Sequence, residues 1–504
     1  MHRPRHPLLL LLPAFLACSE DQSPTAPAGP EAMAAAAAGP KVVNSLADPG
    51  DGSCTASQCT LREAINDPTT SAISFAAGLT GTITLARPVA GGGTLRLTRS
   101  VTITGPSRGI VIRRRSVDPA FRILRIDEGV AASLENLTIS GGRADSGSGA
   151  AIVNRGSLSL IHCTVSGNTG TAIANYTSLT LRRTMVEDNT GTGISNNTDG
   201  SLELHRSSVS RNGGGGIGNG GGDVTLTLST VSENSLGGLS SARGRITLTE
   251  SRITDNDESG ISSYLATIVL TNSSVARNRT ATDGGGIHNE GGDVKVVGST
   301  IANNSAVGNG GAIFNTVPHY RQGVFFSLIN STVSGNVADS GGAIMNSASF
   351  GGISASLRNS TVTLNSARKA GGGIRHDDGG DATNDLALTN TIVAQNTAPE
   401  APDVSAISSD QGFVFASFNL IGNGDGTSIA NGENGNHVGS ASARINARLA
   451  PLALNGGPTR THALLAGSPA IDAGAATDCE ATDQRGVSRP QGAGCDIGSY
   501  EREE

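Results

Sequence analysis

The chain has 504 residues, with 69 Gly, 10 Phe, 4 Tyr and no Trp, and a formal net charge of −7. So little aromatic volume excludes a core built on large aromatic anchors, and the negative balance argues against nucleic acid or an acidic membrane surface as partner. Gly, Ser, Thr and Asn around isolated Val, Ile and Leu point instead to many short strands joined by tight turns.

The chain opens on Arg3 and Arg5, followed by an apolar run from Leu8 to Leu12 and then Ala14-Phe15-Leu16-Ala17-Cys18. The run is too short to span a bilayer and reads as a secretory signal over 1–18. Its end resembles a bacterial lipoprotein signal, although Phe15 and Leu16 depart from the usual pattern. That resemblance implies lipidation of Cys18, a membrane contact through this lipid only, and an outer-membrane or other cell-surface location. Residues 19–40, rich in Ala, Pro and Ser, have little to pack and read as a tether. Fully extended, it reaches roughly 70 Å.

Residues 41–96 are expected to hold an N-terminal cap and the first strands. Within them, Cys59-Thr60-Leu61-Arg62-Glu63-Ala64-Ile65 reads as a short amphipathic helix with Leu61, Ala64 and Ile65 on one side. Export makes Cys54 with Cys59, and Cys479 with Cys495, disulfide candidates. Cys163 is left single at a repeat position that elsewhere holds Ser or Thr, and reads as a small buried residue.

Residues 97–450 repeat. Each unit has a leucine segment, Ser-Thr-Val, an Asn, and a Gly-rich stretch ending in Gly-x-Ile-x-Asn. The valine position recurs at Val165, Val186, Val209, Val231, Ile253 and Val275, and three residues later come Asn168, Asn189, Asn212, Asn234, Asn256 and Asn278. A period of about 22 residues, rising to about 30 in the late repeats, with three short apolar segments per unit, specifies an all-β, single-stranded, right-handed parallel β-helix with capped ends. Each strand pairs with its counterpart one coil on, roughly 4.8 Å away. Asparagines at one turn bond along the stack, and glycine supplies positive φ at the corners. The absence of a 3.6-residue stripe excludes a helical solenoid. Extra residues at 316–325, 347–353 and 375–385 read as edge loops, where binding surfaces tend to sit. Residues 451–504 read as the second cap, required because solenoid ends expose strand edges.

Stacking makes one column chemically interesting: Asp188, Arg211, Glu233, Asp255 and Arg277 follow the valine position by two residues on successive coils. Glu233 and Asp255, roughly 5 Å apart by strand spacing, have the chemistry to hold Ca²⁺ or to work as nucleophile and acid on a glycosidic bond, with Arg211 and Arg277 neutralising a uronate. The alternative is a solvated ladder of alternating charge. Other candidates are His376 with Asp377 and Asp378 in a late loop, His288 as a corner residue, the anion patch Arg113-Arg114-Arg115, and a Ca²⁺-type turn over Gly422-Asn423-Gly424-Asp425-Gly426. Asp223 and Asp293 share a column three coils apart, roughly 14 Å, too far to share an ion. No cofactor is required by anything in the sequence.

The ends carry a resemblance. Cys59-Thr60-Leu61-Arg62-Glu63-Ala64 resembles the Cys-Ser-Leu-Arg-Glu-Ala motif of bacterial surface β-helix proteins. Asn455-Gly456-Gly457-Pro458-Thr459-Arg460-Thr461-His462, Gly467-Ser468-Pro469-Ala470-Ile471-Asp472-Ala473-Gly474 and Cys495-Asp496-Ile497-Gly498-Ser499-Tyr500-Glu501 resemble the choice-of-anchor Q domain. That family implies a pectin-lyase-like β-helix held at the cell surface, and no agreed activity; a lipid on Cys18 would supply the anchor. It also implies a structural ion-pair role for Asp483, Arg485 and Asp496 beneath a Cys479–Cys495 link. Gly310-Gly311-Ala312-Ile313 and Gly341-Gly342-Ala343-Ile344 are similar to repeats of outer-membrane adhesins. Two functions follow as expectations. The first is a non-catalytic display, adhesion or glycan-binding rod facing a polysaccharide or a neighbouring cell; the second is a lyase or hydrolase of acidic polysaccharide.

Overall fold

Each repeat folds as the hydrophobic period dictates. Residues alternate in and out along a strand, so Leu179 and Leu181 point inward and Arg182 outward within Ser178–Arg182. That strand, with Ile173–Asn175 before it and Met185–Glu187 after it, makes one coil. The next coil lays like on like in parallel: Ile173 on Ile194, Leu179 on Leu202, Val186 on Val209. The computed structural model describes residues 40–48, 52–86, 93–144, 149–319, 323–348, 351–377, 384–406 and 413–503. Among them the stacked strands form an isoleucine sheet of 13 strands, a leucine sheet of 15 and a valine sheet of 15. The result is a right-handed parallel β-helix. Cys18, the signal, and the tether up to residue 39 lie outside the described residues, as do Asp378 and the middles of the three late loops.

Two details differ from expectation. The corners on either side of the valine strands take positive φ, yet mostly without glycine: Arg183, Arg206, Asp188, Arg211, Glu233 and Asp255 all lie between 50° and 59°. Glycine is needed for close approach instead. A Cβ on Gly216 would sit 2.6 Å from the Gly238 carbonyl oxygen and 2.5 Å from Val231 on the next coil. The longer late period also has a second source besides loops, a four-stranded sheet built from Arg279–Thr280, Ser305–Ala306, Val337–Ala338 and Ser366–Ala367.

The asparagine corner is a buried ladder. Asn234 donates from its backbone N–H and its Nδ2 to Asn256 Oδ1, at 3.1 and 3.0 Å, and Nδ2 also reaches the Val209 carbonyl. Asn396 makes the same two bonds to Asp403 Oδ1, whose other oxygen accepts from the Asn423 N–H at 2.7 Å. The Gly422–Gly426 turn thus serves the end of the ladder, where a carboxylate accepts without having to donate. Burial pushes the Asp403 carboxyl from 3.8 up to about 6. A folded value above the unfolded one means that folding takes up a proton. Asp403 therefore contributes most below 3.8, and that stability is lost as pH rises through about 6, a change of about 3 kcal/mol. We expect Asp403→Asn to flatten this part of the curve of unfolding midpoint against pH; an unchanged slope would assign the titration to another group.

The ends are closed differently from one another. Helix Leu61–Asn66 is fixed by a capping box between Thr60 and Glu63. It packs on Pro40–Val43 and Leu95–Leu97, the first strands of the leucine and isoleucine sheets, and a disulfide joins Cys54 to Cys59 just before it. At the other end the last coil is closed by His437–Val438, paired with Leu420–Ile421. The segment expected as the second cap lies elsewhere. Residues 450–503 cover the outer face of the valine sheet over the late coils: Thr459 Oγ1 donates to the Gly298 carbonyl, Thr300 Oγ1 to the Arg460 carbonyl, and Thr332 Oγ1 to Gln484 Oε1. Serine and threonine hydroxyls that face solvent in earlier coils become its docking groups.

Candidate functional site

The Asp188-to-Arg277 column occupies the left-handed corner just before the asparagine ladder. From there each arginine reaches back one coil. Arg211 binds both oxygens of Asp188, at 2.9 and 3.2 Å, and Glu187 at 2.6 Å. Arg277 grips Asp255 through two bonds of 2.7 Å, holding that carboxyl below its usual range. Glu233 is exposed and makes no ion pair among the described residues. Glu233 and Asp255 are brought to adjacent coils, but Asp255 faces its arginine. A calcium ion bridging the two would have to displace Arg277. Exposed pairs of this kind contribute roughly 0–1 kcal/mol each.

The other candidates are distributed through the fold. His376 lies on strand Ile374–Asp377, not in a loop, and stands where Asn346 stands one coil earlier, 3.1 Å from its Nδ2. Arg114 is engaged by the carbonyls of Gly141 and Asp118, and Arg115 by the Asp118 carboxylate. Asp223 and Asp293 each accept a backbone N–H one coil on. Asp483 binds Arg485 at 2.8 Å, and Asp496 accepts the Asp472 and Arg502 N–H groups inside a segment closed by the Cys479–Cys495 disulfide. Cys163 is buried, and burial pushes its thiol up to about 11, far from a reactive thiolate. Among the described residues no group of three or more His, Cys, Asp or Glu side chains is placed to hold a metal ion.

A trough on the outer face of the isoleucine sheet was not anticipated. Its floor is the variable residue of Gly-x-Ile-x-Asn, which is small on successive coils: Ser195, Gly218, Ser240 and Ser262 stack in register. The next residue in the column, His288, ends the floor; it lies on strand Ile287–Glu290 and not at a corner. On the side of Tyr264 and Glu290 the trough encloses about 480 Å³, and on the side of Leu236 and Glu258 about 490 Å³; the two spaces share Thr192, Gly218, Ser240, Ser262 and His288. His288 is positioned by the Asp283 carbonyl, 3.0 Å from Nδ1, and by Phe314, 5.3 Å away between ring centroids. A carbonyl only accepts, so Nδ1 is the donor, and in the neutral ring the lone pair lies on Nε2. The floor thus offers hydroxyl groups at the coil spacing, with an imidazole at one end.

No protein-family model matches the chain, and no curated protein matches it significantly. Among solved structures it is similar to pectate lyase Pel9A, at 16% identity over 92% of this chain and 96% of that one, with a TM-score of 0.33. It is also similar to the A-module of the mannuronan C-5 epimerase AlgE6 of Azotobacter vinelandii, at 15% identity over 72% of this chain and 91% of that one, with a TM-score of 0.41. Likeness at these levels carries no argument about activity.

Proposed function

We propose that this chain is an exported, surface-held rod that binds glycans without cleaving them, along the trough of the isoleucine sheet. The observation that carries this is the run of four small floor residues, Ser195 to Ser262, closed by His288 and walled by Tyr264 and Glu290. The resemblance of both ends to surface β-helix proteins, and of the leader to a lipoprotein signal with Cys18, supports the surface location. The test is a panel of neutral and acidic polysaccharides, with and without Ca²⁺, read for binding and for absorbance of unsaturated products. We expect binding without product, weakened about tenfold or more by Ser240→Trp, which fills the floor; silence across the panel would overturn the reading.

Cleavage is the second reading, favoured by His288, whose Nδ1 is engaged by the Asp283 carbonyl and whose Nε2 is left for a ligand. Product that disappears on His288→Ala would replace the rod with a lyase acting in the trough. Product that disappears instead on Glu233→Gln or Asp255→Asn would move the chemistry to the valine corner with Arg211 and Arg277.

A further inference from the structure

Three arginines and two histidines meet at one corner of the middle coils. Arg183 and Arg206 hold the left-handed position between the leucine and valine strands on successive coils, and His162 holds it one coil earlier. Arg182 and His205 are paired in register just before them. With Ile161, Thr227 and Leu228 they line a cavity of about 350 Å³. Arg183 Nη1 lies 3.4 Å from His162 Nε2. The carboxylates in reach are Glu135, 3.9 Å from His162 Nδ1, and Glu203, 3.7 Å from His205 Nε2. Among the described residues neither these nor any other carboxylate pairs with Arg182, Arg183 or Arg206.

That lack of neutralisation sets this corner apart. At the opposite edge of the valine strands, Arg211 and Arg277 also sit in left-handed turns, and both are bound by carboxylates. Left-handed backbone suits Asn and Gly far better than Arg, and later coils use Asn330, Asn359 and Asn390 at the position of Arg183. Those asparagines donate to carbonyls of the C-terminal segment. On the coils of Arg183 and Arg206 the position is cationic and exposed, before Leu228 and Glu250 take it on the next two coils, in a chain whose acidic residues outnumber its basic ones by 43 to 36.

We infer that this corner binds an acidic polysaccharide lying along the stack. The planar guanidinium fork matches carboxylate and sulfate alike. Arg183 and Arg206 repeat at the coil spacing, roughly 4.8 Å, close to the advance of a polysaccharide per pyranose residue, so successive acidic groups meet successive coils. Leu228, 43% exposed one coil on, offers an apolar contact for a ring face. The site shares no residue with the trough, and neither depends on the other.

The test is titration calorimetry of the mature protein with a heparin octasaccharide and an octagalacturonate, at low and high salt. We expect at least one to bind, more weakly as salt rises. The pair Arg183→Asn and Arg206→Asn, which installs the residue the late coils tolerate there, should weaken that binding about tenfold or more and flatten its salt dependence. Arg277→Asn removes one charge from a neutralised corner and should leave it within about twofold. Binding of the octagalacturonate shows that carboxylate suffices, whereas binding of heparin, which carries both groups, without the octagalacturonate shows that sulfate is required. No binding at low salt, undiminished binding by the paired variant, an equal loss with Arg277→Asn, or equal affinity for a single-stranded oligodeoxynucleotide would each overturn the inference. The salt-dependent component of binding that the paired variant removes should survive Ser240→Trp, so failure here and failure of the trough reading are separable.

Discussion

Asn256→Ala should lower the stability of the β-helix by roughly 4–6 kcal/mol, from two to three buried groups left unsatisfied at about 2 kcal/mol each. Its Oδ1 accepts both the N–H and the Nδ2 of Asn234, and its own Nδ2 donates to Asn278 Oδ1 and to the Val231 and Thr254 carbonyls. The side chain is buried, so water does not replace these bonds without opening the coil. Because a solenoid is coupled only through nearest neighbours, the damage should centre on the coils of Asn234 and Asn278. Guanidinium unfolding compared with Asp257→Ala, an exposed neighbour, checks this. If the two variants shared one midpoint, the ladder would not be what holds the corners.

Arg489→Ala is expected to cost about 3–5 kcal/mol within the C-terminal segment, because removing one partner strands a buried charge. Arg489 donates to Glu501 at 3.1 Å and to the carbonyls of Asp496 and Gly498, and both it and Glu501 are almost wholly inaccessible. Glu501 is further tied to the Gln491 and Asp496 N–H groups. Since the segment is attached sideways to the valine sheet, the coils beneath should survive its release. Limited proteolysis should therefore cut within 450–503 while sparing the repeats, and hydrogen exchange should rise at Thr300, Thr332 and Thr361, where it docks. Replacing both partners, Arg489→Met with Glu501→Leu, should restore most of the protection. Cleavage within the repeats at the same rate would show that the segment holds the whole helix together.

Part of the candidate chemistry was legible because stacking turns sequence period into spatial neighbourhood. Glu233 and Asp255 do lie on adjacent coils, as their shared offset from Val231 and Ile253 predicts. Which neighbour Asp255 binds was not legible, because the left-handed corner aims Arg277 back along the stack. The basic corner had a signal that went unread: the doublets Arg182-Arg183 and His205-Arg206 recur at one repeat spacing. The trough had one as well, in the small residue that follows Ile194, Ile217, Leu239 and Ile261, broken by His288 after Ile287.

The coil, its three strands, their register and the asparagine ladder were determined by sequence alone. A column of identical side chains has one parallel register that keeps every apolar residue inside. Tertiary structure alone decided where residues 450–503 go. Thr230 in an uncovered coil and Thr332 in a covered one belong to the same Ser-Thr-Val motif; the local mark of the docking coils is the asparagine before it, at Asn330, Asn359 and Asn390, whose role shows only once the segment lies against it. Only the finished stack, with hydroxyls spaced to meet Thr459, Gln484 and Ser499, selects that face.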